Sequence, residues 1–289
     1  SGKIYNARIK GVFKIGGLTS TNPIAVGDEV EMQIEDVLEE SAMIDTICDR
    51  KNYVARVSPH NKHQHHIIAA NLDQSLLFAT LKDPKTSQGF IDRFLISCEA
   101  FHIPAIIVFN KSDLYKQKEL DHFEHLQKIY SSIGYQVMLC SVEKNKGVEE
   151  IAALLEGKTT LLSGHSGVGK STFINAVFPT LQLRTQEVSG WSGKGMHTTT
   201  FAEMFDLPTS GAIIDTPGIR ELGLVDISKQ ELAHYFPEMR AQMGSCHFNN
   251  CMHIEEPGCA VKQALEEGKI AADRYVSYLN ILTTMDAAH

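Results

Sequence analysis

The 289-residue chain is 43% apolar and 21% charged, the balance of a globular protein with room for two or three domains. Its formal charge of −8 excludes a generally basic nucleic-acid coat, so any RNA contact has to come from local patches. No apolar run approaches membrane-spanning length and Ser1-Gly2-Lys3-Ile4 carries no signal-peptide pattern, so no membrane partner is expected. Without an initiator Met, residues are expected to precede Ser1, or Ser-Gly to be a cloning remnant. Cys48, Cys98 and Cys140 lie singly in apolar runs, as thiols do in a reducing cytoplasm.

In chain order, Ile4–Ile9, Gly11–Ile15, Glu29–Ile34, Met43–Ile47 and Tyr53–Val57 read as short strands, with turns at Gly16-Gly17, Asn22-Pro23 and Gly27-Asp28. Such strands without helices predict a small β-unit over residues 1–66: a five-stranded oligonucleotide-binding (OB) barrel or a sandwich fragment. Arg50, Lys51 and Arg56 surround Tyr53, and His60, Lys62, His63, His65 and His66 follow. Basic residues beside an aromatic can grip single-stranded RNA through phosphates and stacking; the same residues also read as solvated charges. The histidine run has no cysteine or ligand spacing and is read as a linker.

From Ile67 the texture changes to apolar strands alternating with amphipathic helices, predicting a parallel α/β domain over residues 67–227. Strands are expected at Ser75–Leu81, Ala105–Asn110, Gln136–Cys140, Thr159–Ser163 and Ala212–Asp215. Helices are expected at Phe90–Phe101, Lys116–Ser132, Val148–Glu156, Lys170–Val177 and Gln230–Met239, the last with a Ser228/Glu231 capping box.

The first motif met is Asn110-Lys111-Ser112-Asp113 at a strand end. Guanine presents two adjacent donors, N1–H and its 2-amino group, which one carboxylate accepts together, whereas adenine offers an acceptor at N1. Asp113 is therefore expected to read the base, Asn110 to fix its edge and neighbouring loops, and the stem of Lys111 to cover its plane. Cys140-Ser141-Val142 stands where backbone N–H groups would meet the guanine O6; Ser141 also reads as an ordinary loop residue or helix cap.

The second motif is Gly164-His165-Ser166-Gly167-Val168-Gly169-Lys170-Ser171, followed by Thr172, between an apolar strand and a helix. This is the G-x-x-x-x-G-K-[ST] phosphate loop in its required context. Glycines let successive amides turn onto an anion at a helix N-terminus, Lys170 supplies a cation for the β- and γ-phosphates, and Ser171 a hydroxyl for Mg²⁺. Downstream, Gly193-Lys194-Gly195-Met196-His197-Thr198-Thr199-Thr200 is a polar loop in which Thr199, or else Thr198, can reach Mg²⁺; Thr198–Phe201 also reads as a strand start. Asp215-Thr216-Pro217-Gly218 closes a strand as a D-x-x-G, Asp215 for the metal and Gly218 for the γ-phosphate. The guanine motif thus precedes the phosphate loop, the reverse of the common GTPase order. A compact sheet cut and rejoined at surface loops keeps its pocket, so a circular permutation is expected.

The last segment, residues 228–289, contains Cys246, Cys251, His253 and Cys259, a C-x4-C-x-H-x5-C set suited to one closed structural Zn²⁺. His247 is left outside that set. A terminal helix follows, with Ile270, Tyr275, Tyr278, Ile281, Leu282 and Met285 along one stripe and read as core. The expected fold is multidomain: an N-terminal OB-type β-barrel, a central α/β circularly permuted P-loop GTPase domain and a C-terminal helical zinc-binding domain.

With Pro23-Ile24-Ala25-Val26-Gly27-Asp28, Ala70-Asn71-Leu72-Asp73-Gln74, Ile219-Arg220-Glu221 and Cys246–Val261 added to these motifs, the chain resembles the bacterial ribosome small-subunit-dependent GTPase A family over nearly its whole length. It departs in a short first strand and in Met196, where the family commonly has a basic residue. The resemblance implies a cytoplasmic GTPase, using GTP/GDP, Mg²⁺ and Zn²⁺, that binds the small ribosomal subunit and its rRNA late in assembly and leaves after hydrolysis. A monomer is expected. Ile219 stands where many GTPases carry a water-orienting Gln, so intrinsic turnover should be slow and the partner should complete the site. His197 is the candidate for that step, and equally reads as a structural or RNA-contacting residue. A non-catalytic GTP-switched module and a permuted GTPase of the large subunit are the alternatives.

Overall fold

The computed structural model describes residues 2–10, 23–57, 65–181, 202–216, 224 and 227–286. The N-terminal part forms β1 (Asn6–Ile9), β2 (Val30–Asp36), β3 (Ser41–Ile47), β4 (Tyr53–Val57) and β5 (His65–Ala70). β3 lies between β1, which it pairs in parallel, and β2, which it pairs antiparallel; β4 and β5 form a separate antiparallel pair. The expected strand Gly11–Ile15 lies outside the described residues.

Contrary to the linker reading of the histidine run, His65 and His66 open β5, opposite Val57 and Arg56. Only the last four residues of β5, Ile67 to Ala70, are buried and apolar, so its polar start disguised the strand.

The two parts are keyed together by the segments around Gly27 and Leu72. Asp28 accepts both guanidinium N–H groups of Arg50, at 2.6 and 2.7 Å, and the Ala25 N–H. The Asn52 amide donates to Leu72 O and accepts its N–H, copying a strand neighbour, and Asn71 Nδ2 donates to Gly27 O. Asp73 takes the Lys51 ammonium at 2.6 Å and the Thr159 N–H at 2.8 Å.

The central sheet comprises β6 (Gln74–Ala79), β7 (Ala105–Phe109), β8 (Gln136–Leu139), β9 (Thr159–Ser163), β10 (Glu203–Asp206) and β11 (Ala212–Asp215), in the order β10-β11-β9-β6-β7-β8. All neighbours are parallel except the edge strand β10, which was not expected. Its sequence, Glu203-Met204-Phe205-Asp206, is short, acidic at both ends and mostly exposed, which suits an edge and hides it from pattern reading. β6, the first strand in sequence, sits between β9 and β7, so the guanine-motif strand and the phosphate-loop strand flank it.

Helices α1 (Gln88–Ala100) and α2 (Gln117–Ser132) cover one face, and α3 (Val148–Ala153) and α4 (Lys170–Val177) the other. Ser87 caps α1 by accepting the Phe90 N–H at 3.2 Å, worth about 1 kcal/mol.

The expected helix Gln230–Met239 is broken. It becomes α5 (Lys229–Leu232), a 3₁₀ turn and α6 (Pro237–Met243). Pro237 has no N–H for a helical bond and forces Phe236 into extended backbone, so it begins a helix rather than continuing one. α7 (Ala260–Glu266) and α8 (Ala272–Asp286) complete the C-terminal part. Tyr278, Ile281 and Leu282 of α8 are buried there, as the stripe predicted, together with Ile96 of α1.

At this junction Arg274 is buried, with Nε on Glu238 Oε1 and NH1 on Asp92 Oδ1, each at 2.6 Å. Tyr130 OH donates to the same Asp92 oxygen, and the guanidinium lies 4.5 Å from the Phe236 ring centre.

Candidate functional site

The phosphate loop leaves β9 and enters α4. Gly164 adopts φ +135°, and a Cβ there would fall 2.3 Å from Phe78 O. Gly169 adopts φ +98°, and a Cβ there would fall 2.4 Å from Asn110 Nδ2. Both positions therefore exclude side chains for space as well as for backbone conformation. Val168 points into the core below the loop. Lys170 Nζ donates to the carbonyls of Gly164 at 2.7 Å and His165 at 3.3 Å, arching over the loop.

Asp215, at the end of the neighbouring β11, is charge-coupled to Lys170. Burial pulls the Lys170 ammonium down and pushes the Asp215 carboxyl up, and each charge opposes the other's shift. A desolvated cation and a carboxylate at the mouth of an amide loop suit a phosphate–Mg²⁺ unit: Asp215 and the Ser171 hydroxyl would hold the ion and Lys170 the phosphate oxygens.

Asn110 ties the two motifs together. Its Nδ2 donates to Val168 O at 2.9 Å, and its Oδ1 accepts the Val142 N–H at 3.2 Å and the Cys140 thiol at 3.3 Å. Tyr115, which sequence reasoning missed, donates its hydroxyl to Asn110 O at 2.7 Å and accepts the Leu81 N–H, and burial pushes its pKa up to about 12. Lys111 has φ +63° and its ammonium donates to Asp83 O at 2.6 Å.

Asp113 is exposed in the chain alone, so a bound base would itself have to desolvate it. One detail differs from expectation. The Ser141 N–H bonds Lys146 O, and the Val142 N–H bonds Asn110; neither is directed at a guanine O6. Ser141 contributes through its hydroxyl, which donates to Asp113 Oδ1 at 2.5 Å and orients the carboxylate. His197, Thr198, Thr199, Gly218 and Ile219 lie outside the described residues.

Far along the chain, Cys246, Cys251, His253 and Cys259 converge, their ligand atoms all within 4.8 Å of one another. His253 Nδ1 lies 3.4 Å from Cys259 Sγ and 3.7 Å from Cys246 Sγ. A tetrahedral Zn²⁺ with about 2.3 Å Zn–S and 2.0 Å Zn–N bonds implies N···S edges of about 3.5 Å, so the set fits zinc, with Nδ1 as the imidazole ligand. Tyr275 and Tyr278 donate to the carbonyls of His253 and Met252, and Glu256 accepts the N–H groups of Met252 and Ile254, which fixes the loop. Stripping zinc with a strong chelator should release about one ion per chain and loosen α7 and α8, read as faster amide exchange there. Unchanged exchange after zinc loss would reject the structural role.

Against known proteins, the RsgA GTPase family profile matches residues 47–225. The small ribosomal subunit biogenesis GTPase RsgA of Cytophaga hutchinsonii is 54% identical over 99% of this chain and 93% of its own length. The chain belongs to the RsgA GTPase family. The corresponding RsgA of Bacteroides fragilis is 49% identical over 98% of this chain and 90% of its own length. Among solved structures, YjeQ from Thermotoga maritima superposes with a TM-score of 0.78 at 35% identity, covering 96% of this chain and 88% of that one. YloQ, described as a circularly permuted GTPase, gives 0.75 at 32% identity, covering 100% and 88%. The inverted motif order in this RsgA-family chain is therefore the permutation that the sequence led us to expect.

Proposed function

We propose that this RsgA-family chain hydrolyses GTP to GDP in the biogenesis of the small ribosomal subunit, with hydrolysis stimulated by that subunit. The relatives' names carry the process. The chemistry in this chain rests on one observation: Asn110, in the base-reading motif, is hydrogen-bonded to Val168 in the phosphate loop, so the two motifs lie side by side.

In this reading Asp113 recognises guanine, Asn110 and Lys111 frame it, and the amides of residues 164–169, Ser171 and Thr172 cradle the phosphates. Lys170 stabilises charge on the transferring phosphoryl group. Ser171, Asp215 and Thr199 would hold the Mg²⁺ that accompanies GTP, which when bound would neutralise phosphate charge. Gly218 reports the γ-phosphate, and His197, brought into place by the subunit, orients the attacking water. Zn²⁺ on Cys246, Cys251, His253 and Cys259 is structural. The N-terminal strands are read as an OB-type barrel for rRNA, with the first domain boundary moved from residue 66 to the end of β5 at residue 70. The central domain then runs to residue 227 and the helical zinc domain from 228 to 289. The protein is taken to act as a cytoplasmic monomer.

Single-turnover GTP hydrolysis with and without purified subunits tests the whole reading. Stimulation by small subunits is expected; none would favour a conformational switch module, and stimulation by large subunits alone would move the target. Base selectivity is tested separately. Asp113→Asn exchanges an acceptor for a donor and should weaken GTP about 100-fold or more while favouring xanthosine triphosphate. Unaltered selectivity would remove Asp113 from the base site.

A further inference from the structure

The first turn of α1 carries a contact that no motif reading assigns. The buried Phe90 ring faces the His165 imidazole of the phosphate loop, with ring centres 3.8 Å apart and planes inclined by 31°. His165 is also one of the two residues whose carbonyls receive Lys170. A side chain in the loop is thereby held from outside, next to the cation that the chemistry needs.

The holder is itself firmly fixed. Ser87 caps the turn through the Phe90 N–H. Two residues on, Asp92 is fully buried and bonded to Arg274 and Tyr130. Arg93 donates to Thr284 of α8 at 2.6 Å, and Ile96 sits in the C-terminal core. The end of α1 that meets the loop is therefore clamped by both α2 and the C-terminal helices.

We propose that Phe90 is a positioning residue for nucleotide binding: its ring fixes His165, and through it the backbone of the phosphate loop, in the conformation that accepts phosphates. The inference rests on the phosphate-loop reading above. Phe90 touches no reacting atom, so its effect falls on affinity. An amide loop that must be ordered on binding costs affinity, and a loop already held does not.

The test uses the full-length zinc-loaded protein and N-methylanthraniloyl-GDP. Phe90→Leu keeps an apolar side chain but removes the stack, and affinity should fall about 3–10-fold, as expected for one aromatic contact. The rate of single-turnover hydrolysis at saturating GTP should stay within about twofold of the parent. Phe90→Tyr should restore affinity. His165→Ala, at the loop itself, should reproduce the loss without altering the core. The double variant should be no weaker than either single one, because both remove the same contact.

A proton spectrum gives a readout that general destabilisation does not move. The His165 ring protons should be shifted by the Phe90 ring current and lose that shift in Phe90→Leu. Parental affinity in Phe90→Leu, or multiplied losses in the double variant, overturns the proposal. Lys170→Ala separates the two levels: if it binds the probe like the parent protein, the phosphate-loop reading fails, whatever Phe90 does.

Discussion

Lys170→Ala should lower GTP hydrolysis by about 10²–10³-fold, the loss typical of removing one preorganised charge-stabilising donor. The ammonium is held over the loop by the Gly164 and His165 carbonyls, and its neighbour Asp215 is a half-buried carboxyl group. Low polarity around the pair strengthens its action on a phosphate oxygen relative to an exposed lysine. Alanine cannot replace the cation, and it leaves Asp215 as uncompensated negative charge where phosphate must bind. Affinity for GTP should therefore fall along with turnover. Single-turnover hydrolysis of γ-labelled GTP, with thermal melting as a folding control, measures the effect. A well-folded variant hydrolysing at the parental rate would dismiss the loop as the reaction site.

Arg274→Met should destabilise the protein by about 3–5 kcal/mol, the usual cost of orphaning buried charge. Arg274 is 1% exposed, Asp92 0% and Glu238 8%, so none of the three can turn to water for compensation. Burial alone would lower the guanidinium pKa, but the two carboxylates outweigh it and hold the group protonated. Methionine keeps much of the apolar stem beside Phe236 and leaves both carboxylates facing each other without a cation. The urea midpoint monitored by tyrosine fluorescence should fall accordingly. Combining Arg274→Met with apolar replacements of similar volume at Asp92 and Glu238 should recover most of the loss, since the charges then vanish together. A midpoint unmoved by Arg274→Met alone would show that the cluster contributes nothing.

The proximity of Cys246, Cys251, His253 and Cys259 was legible, as were the Gly164–Ser171 loop and the Asn110–Asp113 motif that Asn110 joins to it, because each is written in one short stretch whose spacing follows from its chemistry. The Arg274 cluster was not. Asp92, Glu238 and Arg274 are scattered over 182 positions, and each alone reads as a surface charge. Tyr115 and Phe90 were passed over for a similar reason, since their neighbours across the fold, not along the chain, give them meaning. The Ser141 N–H was read as free for a base, but it is engaged with Lys146, a turn that spacing does not reveal, and the hydroxyl is the group that meets Asp113. Pro237 shows the opposite failing, because its break was readable and the surrounding helical pattern masked it. The polar start of β5 and the acidic edge strand β10 escaped because apolar alternation marks buried faces, and these segments have little to bury.

The keyed joint around Asn52, Asn71 and Asp73 bears on how this chain can be taken apart. Lys51 and Asn52 precede β5, whereas Thr159 opens the strand that ends in the phosphate loop, and Asp73 touches both sides. A nucleotide domain trimmed to start at residue 67 would be severed inside β5 and would deprive Asn71, Leu72 and Asp73 of their bonds to Lys51 and Asn52. The leading strands are therefore bonded to the segment that feeds β6 rather than being a detachable accessory. Displacing Lys51 would thus be felt at Asp73 and, through its bond to the Thr159 N–H, at the first residue of β9.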